Sequence, residues 1–151
     1  MIGRTVRFLA LLAWSGFLCS ALGAAELGHA PAKWRGVWLL DQDAGASAIS
    51  ALDAAQVRAL LGTTLSLDRG PVALAGLPCP SPRFQASSES KADFAMDFRI
   101  QPADVGITND PVSVLQVDCG SYAYDFIRLT TDRGLVIYQG HFLGAAKRGG
   151  R

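Results

Sequence analysis

Two histidines, His29 and His141, are the natural starting point for chemistry, and no His-x3-His or Cys-x2-Cys pair accompanies them. No metal and no cofactor is therefore expected. Asp41-x-Asp43 resembles the start of a calcium loop. Its sixth position, where the turn needs glycine, is Ala46, and its twelfth is Leu52 instead of Glu, so calcium is rejected. Gly45-Ala46-Ser47-Ala48-Ile49 opens like a nucleophile elbow but lacks the closing glycine, and Ser47 reads as a polar residue approaching a helix. His141 becomes an acid–base group only if strand pairing places Asp118 or Asp125 beside it. The glycines are scattered singly, as turn glycines are, and build no phosphate cradle.

The cysteines speak to compartment. Arg4 and Arg7 precede a short apolar run at 8–18, and small residues follow at 21–25, the pattern of a signal peptide over residues 1–25 cleaved near Ala25. The run is interrupted by Ser15 and Gly16 and is shorter than the roughly 20 apolar residues of a membrane span. The expected location is periplasmic or secreted, with no stable membrane span in the mature form. Cys19 leaves with the leader, and Cys79 and Cys119 remain as an even pair, which in an exported chain predicts one disulfide. It would close a loop of about 40 residues and stabilise by about 4 kcal/mol in the chain-entropy view. Without Arg4 and Arg7, the 14 Lys+Arg fall to 12 against 13 Asp+Glu, a net charge of about −1. No basic stripe remains, so no nucleic-acid partner is expected.

These residues need a frame. A flexible lead-in is expected at 26–33, one β domain at 34–148 and a frayed tail at 149–151. The first strand candidate is 34–40, ended by the turn-like run Asp41-Gln42-Asp43-Ala44-Gly45. A helix is predicted at 50–61, capped by Ser50 with Asp53 in the capping-box position and stopped by Gly62. Residues 93–100 alternate, with Phe94, Met96, Phe98 and Ile100 on one face, which predicts a half-buried strand. In 112–117 the alternation slips, which implies a bulge or a strand covered on both faces. Three prolines at 78, 80 and 82 make the Cys79 segment an extended loop. The fold class is mainly β: a small antiparallel barrel or strongly curved sheet of about eight strands, with one α-helix after the first strand.

Aromatic residues are the most suggestive group for binding. Trp38, Phe94, Phe98, Tyr124, Phe126 and Tyr138 are the candidate lining of a pocket for a small apolar ligand, and equally the candidate core of a filled barrel.

Gly36-Val37-Trp38 on the first strand resembles the G-x-W motif that opens lipocalin-like barrels, and in size and export the chain is similar to small bacterial lipocalin-like or META-type domains. The resemblance implies a tryptophan that closes one barrel end under a basic side chain of the last strand, here Lys147 or Arg148, with Trp38–Arg148 taken as the closing pair. It also implies a non-catalytic binding or accessory protein with a small apolar ligand or a protein partner. Two alternatives stand beside it: a protein-directed inhibitor or immunity-type protein acting through an exposed loop at 80–89, and a small hydrolase using His141.

Overall fold

The computed structural model describes residues 26–149, so the expected leader, with Cys19, and positions 150–151 lie outside the described residues. The described chain forms one antiparallel sheet of ten strands: β1 (Glu26–Leu27), β2 (Val37–Ala46), β3 (Thr64–Ser66), β4 (Val72–Leu74), β5 (Leu77–Cys79), β6 (Arg83–Glu89), β7 (Val112–Asp118), β8 (Ala123–Arg128), β9 (Arg133–Tyr138) and β10 (His141–Lys147). Helix α1 (Ala54–Leu60) follows β2, and α2 (Lys91–Phe98) lies between β6 and β7. The spatial order is β1-β6-β7-β8-β9-β10-β2-β3-β4-β5.

The order puts β1 and β5 at the two edges, and β5 does not pair with β6 although only residues 80–82 separate them in sequence, which leaves a seam between β5 and the β1–β6 side. A disulfide joins Cys79 at the end of β5 to Cys119 just past β7. Only a curled sheet brings those strands together, so the architecture is an open half-barrel stapled across its seam. The Tyr122 hydroxyl adds a second tie by donating to the Leu77 carbonyl at 2.8 Å.

Two apolar clusters explain the double-sided burial of β7. Leu115 and Val117 point inward with Trp38, Leu40, Leu65, Leu74, Tyr124, Phe126, Val136 and Tyr138. Val112 and Val114 point outward beneath Phe94, Val105 and Ile107, joined by Ile127, Leu135, Ile137 and Phe142. β7 pairs β6 without a register break, so the slipped alternation reflects burial on both faces and no bulge.

The bulges lie in β2 instead. Its ladder with β10 skips one residue at Ala44 and another at Asp41, and in this way the turn-like run at 41–45 is absorbed into one ten-residue strand. Several other expectations change as well. The lead-in is docked: Glu26 and Leu27 pair with β6, residues Ala32–Trp34 form a 3-10 turn, and Ala30 and Trp34 are buried in the inner core. The predicted helix starts later, because Asp53 is the cap, accepting from the Ala55 and Gln56 amides while the Gln56 side chain accepts from the Asp53 amide. Residues 91–98 are a helix where alternation predicted a strand. Ser90 caps it through the Asp93 amide at 3.1 Å, Phe94 and Phe98 stack one turn apart at 4.5 Å, and Met96 is 68% exposed. Most of the expected loop at 80–89 is strand β6.

Candidate functional site

At one end of the β2–β10 ladder, Trp38 lies fully buried against Phe126, with ring centroids 4.9 Å apart. Its indole N–H donates to the Trp34 carbonyl at 3.3 Å. The basic residue over the ring is Lys147, with Nζ 5.5 Å from the centroid, which corrects the Trp38–Arg148 pairing. Arg148 contributes its backbone N–H, donated to the Val37 carbonyl at 2.8 Å. The glycine of Gly36-Val37-Trp38 has a physical reason here: φ is +149°, and a Cβ would meet the Lys147 side chain at 2.8 Å. Packing closes this end over Trp38, and outside it Arg35, Asp68, Lys147 and Arg148 line an open surface cleft of about 440 Å³.

The six candidate lining aromatics divide between the two cores. Trp38, Tyr124, Phe126 and Tyr138 are buried in the inner cluster, while Phe94 and Phe98 are residues of α2 that pack in the outer cluster. As a set of six they do not line one cavity.

At the opposite end of the same ladder, polar groups converge. His141 Nε2 lies 2.8 Å from Asp43 Oδ1, and its Nδ1 lies 3.5 Å from Ser50 Oγ. The imidazole is 9% exposed, whereas Asp43 faces solvent. Asp118, one partner expected from sequence, is instead paired with Arg83 at the seam. Asp125, the other, lies on the wall of a separate cleft. Each member of the rim trio is brought in by a distinct element. The Ala44 bulge turns β2 so that Asp43 reaches the β9–β10 hairpin. Gln139 and Gly140 form its two-residue turn with φ of 50° and 77°, as a tight hairpin requires. The Ser47 amide donates to the Gly140 carbonyl at 2.8 Å and the Ala51 amide to the Gln139 carbonyl at 2.9 Å, which fixes the 47–51 segment and Ser50 with it.

The electrostatics of the trio are coherent. The His141 hydrogen bond, and then the Gly45 amide, hold the Asp43 carboxyl below its ordinary range. An ionised Asp43 favours the tautomer in which Nε2–H donates to it, and in that tautomer the Nδ1 lone pair faces Ser50. In the sequence alone, Ser50 has the character of a helix cap and Asp43 that of a turn residue. The signal available was the loop of polar residues between β2 and α1, whose partners lie over 90 residues away.

Beside this rim, on the outer face, lies a cleft of about 250 Å³. Ser47, Ile49 and the Gln139–Gly140 turn form one side, and Asp97 and Phe98 of α2 with Gln116, Ala123, Tyr124, Asp125 and Ile137 of the sheet form the rest, so two of the six candidate aromatics, Phe98 and Tyr124, do line one cleft. Burial, and then the charge of Glu89, push the Asp125 carboxyl up to about 6. Burial also raises Glu89, with Asp97 and Asp93 adding to it. No ion pair among the described residues includes Asp125, and no helix among them is long and apolar enough to cross a membrane. Comparison with protein families, with characterised proteins and with solved structures finds no match for this chain.

Proposed function

We propose that this is an exported binding or accessory module of lipocalin-like architecture, periplasmic or secreted, whose ligand docks in the rim cleft and not inside the curl. The Cys79–Cys119 bridge supports an oxidising compartment. The observation that carries the choice of site is the mixed wall of the cleft: a mostly buried, cation-free carboxyl at Asp125 stands with Ile137 and Phe98, opposite Ile49, which is 68% exposed. A concave, largely apolar site with a few polar groups of perturbed pKa is what small-ligand sites look like. Of the inner aromatics, Trp38, Phe126 and Tyr138 serve as core, while Tyr124 also lines the cleft. The ligand of this reading is small, with an apolar body and one hydrogen-bonding or cationic end.

The test is retention of a small molecule by protein recovered from the periplasm, read by gentle-ionisation mass spectrometry and repeated on Phe98→Ala and Asp125→Asn. Loss of the adduct in both variants, with the fold intact, supports the cleft. Unchanged retention in both places the ligand elsewhere. A protein partner is the second reading, favoured by strand β6. β1 pairs only with Arg83 and Phe84, and among the described residues no strand lies on the outer side of 85–89. A proline at Ser87 would then weaken the complex, while Phe98→Ala would not.

A further inference from the structure

We propose that Ser50, His141 and Asp43 form an acyl-transfer site at the rim, with Ser50 the nucleophile and small carboxylic esters the substrate class. This goes beyond ligand binding and does not depend on what occupies the cleft.

The argument begins with the chain Asp43 Oδ1–His141 Nε2–His141 Nδ1–Ser50 Oγ, 2.8 Å at its first contact and 3.5 Å at its last. A general base must face the hydroxyl with an unprotonated nitrogen, and a carboxylate on the other ring nitrogen fixes that tautomer. Here the ring is used with Nδ1 as base. The last contact is at the long end of hydrogen-bond reach, as is common before substrate binds. The Leu52 amide donates to Ser50 Oγ at 3.3 Å, so one lone pair of the hydroxyl is occupied and its proton is free to turn toward Nδ1. Ser50 is partly exposed, and Ile49 beside it offers an apolar surface to an acyl chain.

The step balances with water as the only co-reactant. Ser50 Oγ bonds to the ester carbonyl carbon while His141 Nδ1 takes the hydroxyl proton. Collapse breaks the bond to the alkoxy oxygen, and that oxygen leaves with the proton from Nδ1. Water then attacks the acyl-serine, giving a proton to Nδ1, and the Oγ–carbon bond breaks to release the acid and restore the hydroxyl. Asp43 stays ionised throughout and stabilises the imidazolium. The amides of Ser50, Ala51 and Leu52 are already engaged, so this segment offers the oxyanion no dedicated donor. Turnover is accordingly slow, and the covalent adduct is the better readout.

A purely structural role is the competing account, because Ser50 Oγ also caps the turn into α1. The experiment treats the disulfide-intact protein with a fluorophosphonate and follows intact mass and peptide mapping, alongside p-nitrophenyl acetate hydrolysis. The expected result is one adduct, on Ser50, with labelling slowed about 100-fold or more in His141→Gln, as loss of a general base predicts. Asp43→Asn should slow it as well and change its pH profile. Ser50→Asn retains an acceptor for the Leu52 amide but has no hydroxyl, so it should fold and remain unlabelled. An adduct on another residue, no adduct on folded wild-type protein, or a rate unchanged in His141→Gln would overturn the proposal.

Discussion

At the Trp38 end of the β2–β10 ladder, closure comes from rings and methylenes: Trp38 on Phe126, Lys33 over Trp34 at 3.9 Å, and Gly134 leaving space for the Phe126 ring, which a Cβ there would meet at 2.5 Å. At the His141 end, closure comes from hydrogen bonds between the hairpin turn, the 47–51 segment and Asp43. One end removes apolar surface from water and tolerates no gap. The other keeps carboxylates, hydroxyls and an imidazole at fixed positions with partial access to solvent. Stability and chemistry are thus placed at opposite ends of the same pair of strands, and each end can be perturbed with little effect on the other.

The largest expected effect is at the closed end. Trp38→Ala should destabilise by about 3–5 kcal/mol, the usual cost of truncating a buried aromatic, read as a lower urea midpoint. Ser50 labelling of the remaining folded protein should persist. If it disappears at the same denaturant-free population of native protein, the two ends are not separable. Close behind is the seam. Replacing both Cys79 and Cys119 with alanine releases a loop with a sequence separation of 40, worth about 4 kcal/mol in the chain-entropy view. Reductant should lower the wild-type midpoint to match, and an unchanged midpoint would mean the seam holds without its staple.

The rim makes a prediction in pH. Asp125 in the folded protein keeps its proton up to about 6, whereas the unfolded chain loses it near 4, as an ordinary aspartate does. Between those values the native state binds more protons, so stability falls as pH rises through that window and then levels off. Asp125→Asn should remove the slope and stabilise at pH 7 by up to about 3 kcal/mol. Asp43 has the opposite sign. Its depressed carboxyl favours the fold above the ordinary aspartate range, and that support is lost as pH falls through its lowered value. Because Asp43 is largely exposed, its effect is the smaller of the two. Urea midpoints of both variants from pH 3 to 8 would separate them.

How far the sequence could be read follows from the range of each interaction. Local and compositional signals carry the mainly β antiparallel class and the Cys79–Cys119 bond, and they narrow β7 to a bulge or double-sided burial, of which the structure has the second. Residues 93–100 fit a strand pattern in sequence because Phe94 and Phe98 satisfy a period of two and a helical turn equally well. Met96, apolar and yet exposed, separates the two, and Ser90 with Asp93 is the cap that starts the helix. The run at 41–45 has turn chemistry, and two bulges make it a strand because β10 supplies the partner edge. The rim trio was invisible for the same reason: Asp43 and Ser50 meet His141 only across that pairing.

The smallest effect concerns what the Trp38 end does not need. Lys147 is mostly exposed, and a cation over an indole in such a setting contributes about 0.5–1 kcal/mol. Lys147→Met keeps the methylenes that lie against Gly36 and removes only the charge. The urea midpoint should therefore fall slightly, with the loss shrinking in high salt as an electrostatic contribution does. A loss approaching that of Trp38→Ala would mean the cation organises this end. A salt-independent loss would assign it to the stem. The small, screened loss expected here would leave the closed end as a matter of packing, with charge a minor contributor to it.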